Sequence, residues 1–160
     1  YLQSLRAALE GEPAKYECAP QALNKPGFAR GELIGGNLTM LAHLLGTVSD
    51  VRTKNRLLFI EDTGEYLYNT DRMLWQLKRN GKLDRLAGLI VGGFTDTKDT
   101  PRPFGKSVYE IIHDHVKDFD YPVCYGFPVS HEKTNYALEV GGIYTLQVTA
   151  ATTLLEQIIK

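Results

Sequence analysis

Leu57-Leu58-Phe59-Ile60 is an unbroken apolar run followed at once by three acids, Glu61, Asp62 and Glu65. A run so short and continuous suits a strand buried on both faces of a sheet rather than an amphipathic helix. Leu86–Phe94 (LAGLIVGGF) and Pro122–Phe127 (PVCYGF) have the same character, and helical patterns lie between them. Buried strands alternating with helices restrict the chain to an α/β sheet. In such sheets ligands bind in the crevice outside the carboxyl ends of the strands. The acids leaving the first run can thus be catalytic groups held rigidly over a cleft. Equally, they can make a turn soluble and cap the next helix. The residues alone leave both readings open.

Taken in order, residues 1–10 (YLQSLRAALE) form a helix with Leu2, Leu5 and Leu9 on one face, stopped by Gly11 and Pro13. Lys15–Ala19 can be a strand, and Pro20–Arg30, with two prolines and a glycine, reads as loop or linker. A short strand from Gly31 then meets Gly35-Gly36, and Asn37 caps a helix that Gly46 ends. Glycines at that turn let a ligand or another backbone come close. Asn69 or Thr70 caps a helix through Arg79, with Asp71 in its first turn and Met73, Leu74 and Leu77 on its apolar side. Thr95–Gly105 is a polar loop long enough to border a cleft, and Ser107–Phe119 is amphipathic. Tyr136–Val140, Gly142–Thr149 and Thr153–Gln157 read as short, antiparallel strands. The expectation is one mixed α/β sheet domain.

Composition narrows the partners. Lys plus Arg number 18 against 19 Asp plus Glu, so no field of one sign exists to draw nucleic acid or an anionic membrane. No apolar run approaches the roughly 20 residues of a membrane-spanning helix. Cys18 and Cys124 fit no metal spacing and read as buried thiols of a reducing compartment. His113 and His115, two apart on a helix, project about 200° from each other and cannot share an ion. His43 reads as lying on the apolar side of its helix. No metal or cofactor is expected.

His131 follows the third buried run much as Glu61 follows the first. A histidine whose second nitrogen is held by a carboxylate is the ordinary general base for a hydroxyl nucleophile. The nucleophile itself is not evident: Ser4, Ser49, Ser107 and Ser130 all lack the sharp strand-to-helix turn that presents one.

Four stretches in order resemble a known family. These are Gly35-Gly36-Asn37-Leu38 with its Leu-rich helix and Gly46-Thr47; Phe59-Ile60-Glu61-Asp62-x-Gly64-Glu65; Asp71-Arg72-Met73-Leu74 with Leu77; and Gly126-Phe127-Pro128-x-x-His131 with Asn135. They are similar to the carboxy-terminal domain of LD-carboxypeptidases, the murein tetrapeptide carboxypeptidases of serine peptidase family S66. Microcin C self-immunity peptidases belong to the same family. The resemblance implies a swivelling β/β/α domain over residues 31–160. It also implies that 1–10 is the tail of an amino-terminal domain and 11–30 a linker. It implies a Ser-Glu-His triad divided between two domains, with Glu61 and His131 as the acid and base on this one and the serine on the other. Asn37, with Gly36, falls where the family lines its site, and Glu65 is the competing glutamate. The implied setting is cytoplasmic recycling of peptidoglycan peptides, by release of terminal D-alanine without metal. The implied partners are the peptide substrate and the amino-terminal domain, with a homodimer left open. The chain carries Leu138-Glu139 where the family usually has Leu-Pro. The alternatives are a non-catalytic module binding muropeptides or a partner, and a peptidase of the microcin C type.

Overall fold

The computed structural model describes residues 1–158; the last two residues of the expected 31–160 span lie outside the described residues. Strands β1 (Lys15–Cys18), β2 (Gly27–Asn37), β3 (Leu57–Thr63), β4 (Gly88–Thr95), β5 (Val123–Cys124), β6 (Ile143–Val148) and β7 (Thr153–Ile158) form one sheet in the order β1-β7-β6-β2-β3-β4-β5. Helices α1 (Leu2–Leu9), α2 (Leu38–Leu44), α3 (Leu67–Arg79) and α4 (Val108–Val116) complete the fold.

β2 joins the two halves of the sheet. Its first residues pair antiparallel with β6, from Gly27 opposite Val148 to Glu32 opposite Ile143. Its last five pair parallel with β3, from Leu33 opposite Leu57 to Asn37 opposite Glu61. The stretch expected to be loop as far as Arg30 thus becomes strand at Gly27. β1 is also a full member of the sheet, paired with β7.

Two cores follow from the alternation of β3. Leu58 and Ile60 pack on one face with Leu38, Leu74, Leu77, Ile111 and Ile112 of the three helices. Leu57 and Phe59 pack on the other with Phe127, Val129, Tyr144 and Tyr16. The four residues Leu57–Ile60 are covered on both faces, which is why the apolar run is continuous; Glu61 and Asp62, expected to leave the strand, are still buried and paired within it. α4 begins at a capping box, with Ser107 and Glu110 satisfying each other's backbone N–H groups.

Four local expectations differ from the structure. α3 starts at Leu67, and no side chain caps it. The Leu67 N–H instead donates to the Lys98 carbonyl of the 95–105 loop, a tertiary substitute for a cap. Asp71 therefore lies past the first turn and accepts from His115. β5 is only two residues long, because Tyr125 N–H turns to the Asn24 side chain and Gly126 follows in the left-handed region (φ +67°). Tyr136–Val140 is not a strand: Tyr136 stacks on Tyr16 at 4.2 Å, and the Tyr16 hydroxyl donates to the Ala137 carbonyl. Its alternation serves packing rather than a ladder. His43 faces solvent, not the core.

Candidate active site

Glu61 is the fifth residue of β3 and its first polar one, so the strand that buries Leu57–Ile60 also fixes the Glu61 backbone. Its carboxylate is almost fully enclosed, with 9% of the side chain exposed, and Oε2 lies 2.7 Å from Nδ1 of His131. The imidazole is 54% exposed. One end of the pair is thus buried and held while the other opens to solvent. Among the described residues no hydroxyl is hydrogen-bonded to the free Nε2 of His131.

His131 is not at a strand exit. β3 and β5 are separated by β4, and His131 lies seven residues beyond the end of β5. Its segment nevertheless keeps to the edge of β4: Phe127 N–H donates to the Val91 carbonyl and Gly93 N–H to the Val129 carbonyl. At this point the β3–β4 register shifts, from Ile60 opposite Val91 to Asp62 opposite Phe94. The extra residue falls at Gly92-Gly93, a bulge that bends the strand. A Cβ on Gly92 would stand 2.2 Å from the Val129 carbonyl oxygen and 3.2 Å from Glu61 Cβ. One on Gly93 would meet Ser130 Cβ at 2.6 Å. The two glycines are the gap through which Glu61 reaches His131 past β4.

Asp62 turns away from this pair and has a different task. It is 3% exposed. Oδ1 accepts from Asn37 Nδ2 at 2.8 Å and from Thr63 N–H, while Oδ2 accepts from the Thr39 N–H and hydroxyl. Asn37 caps α2 through its own Oδ1, which accepts from Met40 N–H. The β2–α2 turn is therefore tied to β3 by one carboxylate, whose partners the sequence did not reveal. The glycines before it divide the expectation made for them. A Cβ on Gly35 would overlap the Phe59 carbonyl oxygen at 2.0 Å, so there another backbone comes close. Gly36 faces open space, where a ligand has room. Both have φ in the range that favours glycine, +141° and +145°.

Glu65 is two residues past β3 and accepts from Asn69 on the first turns of α3; it makes no hydrogen bond to His131. A polar cleft of about 180 Å³ lies against the His131 segment, lined among others by Gly93, Tyr109, Pro128, Ser130, Glu132 and Thr134. A second histidine–carboxylate pair, His115 Nε2 with Asp71 Oδ1 at 2.8 Å, lies between α3 and α4, its imidazole buried against Trp75 and its carboxylate partly exposed. Among the described residues no three His, Cys, Asp or Glu side chains are grouped to hold a metal ion.

A carboxylate that fixes one ring nitrogen and leaves the other open at a sheet rim has the geometry of a general base awaiting a nucleophile. The family is given by comparison. The sequence profile of the LD-carboxypeptidase C-terminal domain matches residues 30–146. The chain is 36% identical over 140 residues to a probable murein peptide carboxypeptidase of Bacillus subtilis, across 88% of this chain and 44% of that protein. It is 33% identical over 119 residues to the murein tetrapeptide carboxypeptidase of Pseudomonas aeruginosa, across 73% and 38%. The crystal structure of muramoyltetrapeptide carboxypeptidase from Oxalobacter formigenes superposes with a TM-score of 0.85 at 30% identity, covering 98% of this chain and 53% of that one.

The chain belongs to the LD-carboxypeptidase family, whose C-terminal domain it carries. It spans less than half the length of the two curated relatives. Among the described residues no helix is long and apolar enough to cross a membrane.

Proposed function

We propose that this domain supplies the acid and the base of a Ser-Glu-His peptidase that cleaves the amide before a terminal D-amino acid in murein-derived peptides. The observation that carries the reading is the 2.7 Å contact between enclosed Glu61 and half-exposed His131. Glu61 holds the imidazole in the tautomer with its proton on Nδ1 and stabilises the imidazolium that forms during attack. Nε2 takes the proton of a serine hydroxyl as that oxygen adds to the scissile carbonyl. It then returns the proton to the departing amine of the D-amino acid, and water repeats the cycle on the acyl-enzyme. The serine and the donors for the oxyanion come from the part of the family's length that this chain does not span. Asn37 and Gly36, at the neighbouring strand end, line the substrate side.

The identity of two relatives as murein peptide carboxypeptidases supports the substrate class. On this reading the amino-terminal domain of the same protein is the obligatory partner, and this chain by itself turns nothing over. The test is D-alanine release from murein tetrapeptide. The full-length protein is expected to release it and the isolated 160 residues are not. Release by the isolated chain, or none by the full-length protein, contradicts the reading.

A further inference from the structure

Asn37 and Asp62 raise a question that the Glu61–His131 pair does not answer: which end of the Asn37 carboxamide faces the rim. The two ends of an amide are alike in shape and opposite in chemistry, and only the hydrogen-bond network tells them apart. Here the network decides. Asp62 ionised offers acceptors only, so the group 2.8 Å from its Oδ1 must be the Asn37 NH2. The Met40 N–H offers a donor only, so the group 3.1 Å from it must be the Asn37 oxygen. The orientation is thus imposed from both sides. The Thr39 and Thr63 N–H groups also donate to Asp62, and the Thr39 hydroxyl lies 2.9 Å from its Oδ2.

Once these bonds are made, Asn37 has one N–H left. Among the described residues no second acceptor is recorded for it. Asn37 is half-buried, it pairs in register with Glu61 on the adjacent strand, and the Gly36 backbone beside it faces open space. We propose that Asp62 is a positioning residue: it locks the Asn37 carboxamide so that the rim beside Glu61 presents a hydrogen-bond donor, suited to an oxygen of the bound peptide. This inference rests on the peptidase reading for its substrate, but the lock itself does not.

The test compares Asp62→Asn, Asn37→Asp and the double exchange Asn37→Asp/Asp62→Asn in the full-length protein. Asp62→Asn sets an NH2 against donors, so both the melting temperature and KM respond. KM for the tetrapeptide is expected to rise about tenfold, the scale of one lost hydrogen bond, with the pH profile of kcat unmoved. The double exchange restores a donor–acceptor match across positions 37 and 62. It is expected to recover about half or more of the lost melting temperature while KM stays high, because a carboxylate now replaces the donor. Recovery of KM together with stability would reduce Asp62 to a structural tie and overturn the proposal.

A readout independent of turnover is the Asn37 side-chain amide in an NMR spectrum. Wild type is expected to show two well-separated Nδ2 protons, one bonded to a carboxylate, and Asp62→Asn to shift both. Unchanged resonances would overturn the lock even if the protein proves to have no peptidase activity. A full set of shifts with no tetrapeptide turnover would instead retain the lock and remove the substrate reading.

Discussion

Glu61 Oε2 and His131 Nδ1 lie 2.7 Å apart although 70 positions separate them in sequence. The contact joins a strand buried on both faces to a segment without regular structure. Its strength as a catalytic device depends on keeping the imidazole oriented. Glu61→Gln preserves size but can present its NH2 to Nδ1, which favours the wrong tautomer. In the full-length protein kcat is expected to fall about 10³- to 10⁴-fold with KM little changed. Steady-state kinetics on the tetrapeptide check this.

Gly92 decides whether that contact forms at all. Alanine there would put Cβ 2.2 Å from the Val129 carbonyl oxygen, and Val129 is two residues before His131. The segment must move outward, and a displacement of about 1 Å at a catalytic group can cost about 10²-fold in rate. Gly92→Ala is expected to lose activity on that scale with the helices intact by circular dichroism. Gly36→Ala, with nothing within 4 Å, has no such neighbour to displace.

Gly35→Ala tests a separate part of the account. Its Cβ would overlap a backbone carbonyl at 2.0 Å in a left-handed conformation, and neither can relax within a paired strand. A loss of about 3 kcal/mol or more in unfolding free energy is expected by denaturant titration.

Much of this was legible from residue order. Continuous apolar runs identified β3 and β4, because strands covered on both faces have no polar alternation to confuse them. Asn37 was recognisable as a cap because its partner, Met40, is three residues away. What stayed hidden depended on contacts between distant segments. The α3 start is satisfied by Lys98, so no local cap marked it. The partners of Asp62 are 23 and 25 residues distant, apart from Thr63. The bulge at Gly92-Gly93 stayed hidden because a bulge that admits another segment has no sequence mark except the glycines. The Glu61–His131 pairing was expected by family resemblance. Spacing could not give it, since His131 lies seven residues beyond β5, at the end of a segment bonded along the edge of β4.

The two thiols should be poor nucleophiles in the native protein. Burial, with Glu17 adding to it, pushes the Cys18 thiol up to about 11, and burial raises Cys124 further. Both are free. At neutral pH, labelling by iodoacetamide is expected to be slow for Cys18 and slower for Cys124, and rapid for both in denaturant. Peptide mass mapping reads the order.

Asp50 ties the loop before β3 to the end of α3, with Lys82 Nζ 2.7 Å from its Oδ1. The hydrogen bond from Lys82, then that from Gly46 N–H, holds its carboxyl below the ordinary carboxylate range. A depressed folded-state value means the stabilisation is present above the unfolded value, about pH 4, and is lost as pH falls through the folded one. Asp50→Asn is therefore expected to lower the melting temperature at neutral pH and to converge with wild type in strong acid.

The central claim is that His131 is the base serving a nucleophile carried elsewhere in the protein. Its most direct test is the rate of D-alanine release by full-length His131→Ala at saturating tetrapeptide. A fall in kcat of about 10³-fold or more, with folding unchanged, is the expected result. Turnover close to wild type would contradict it.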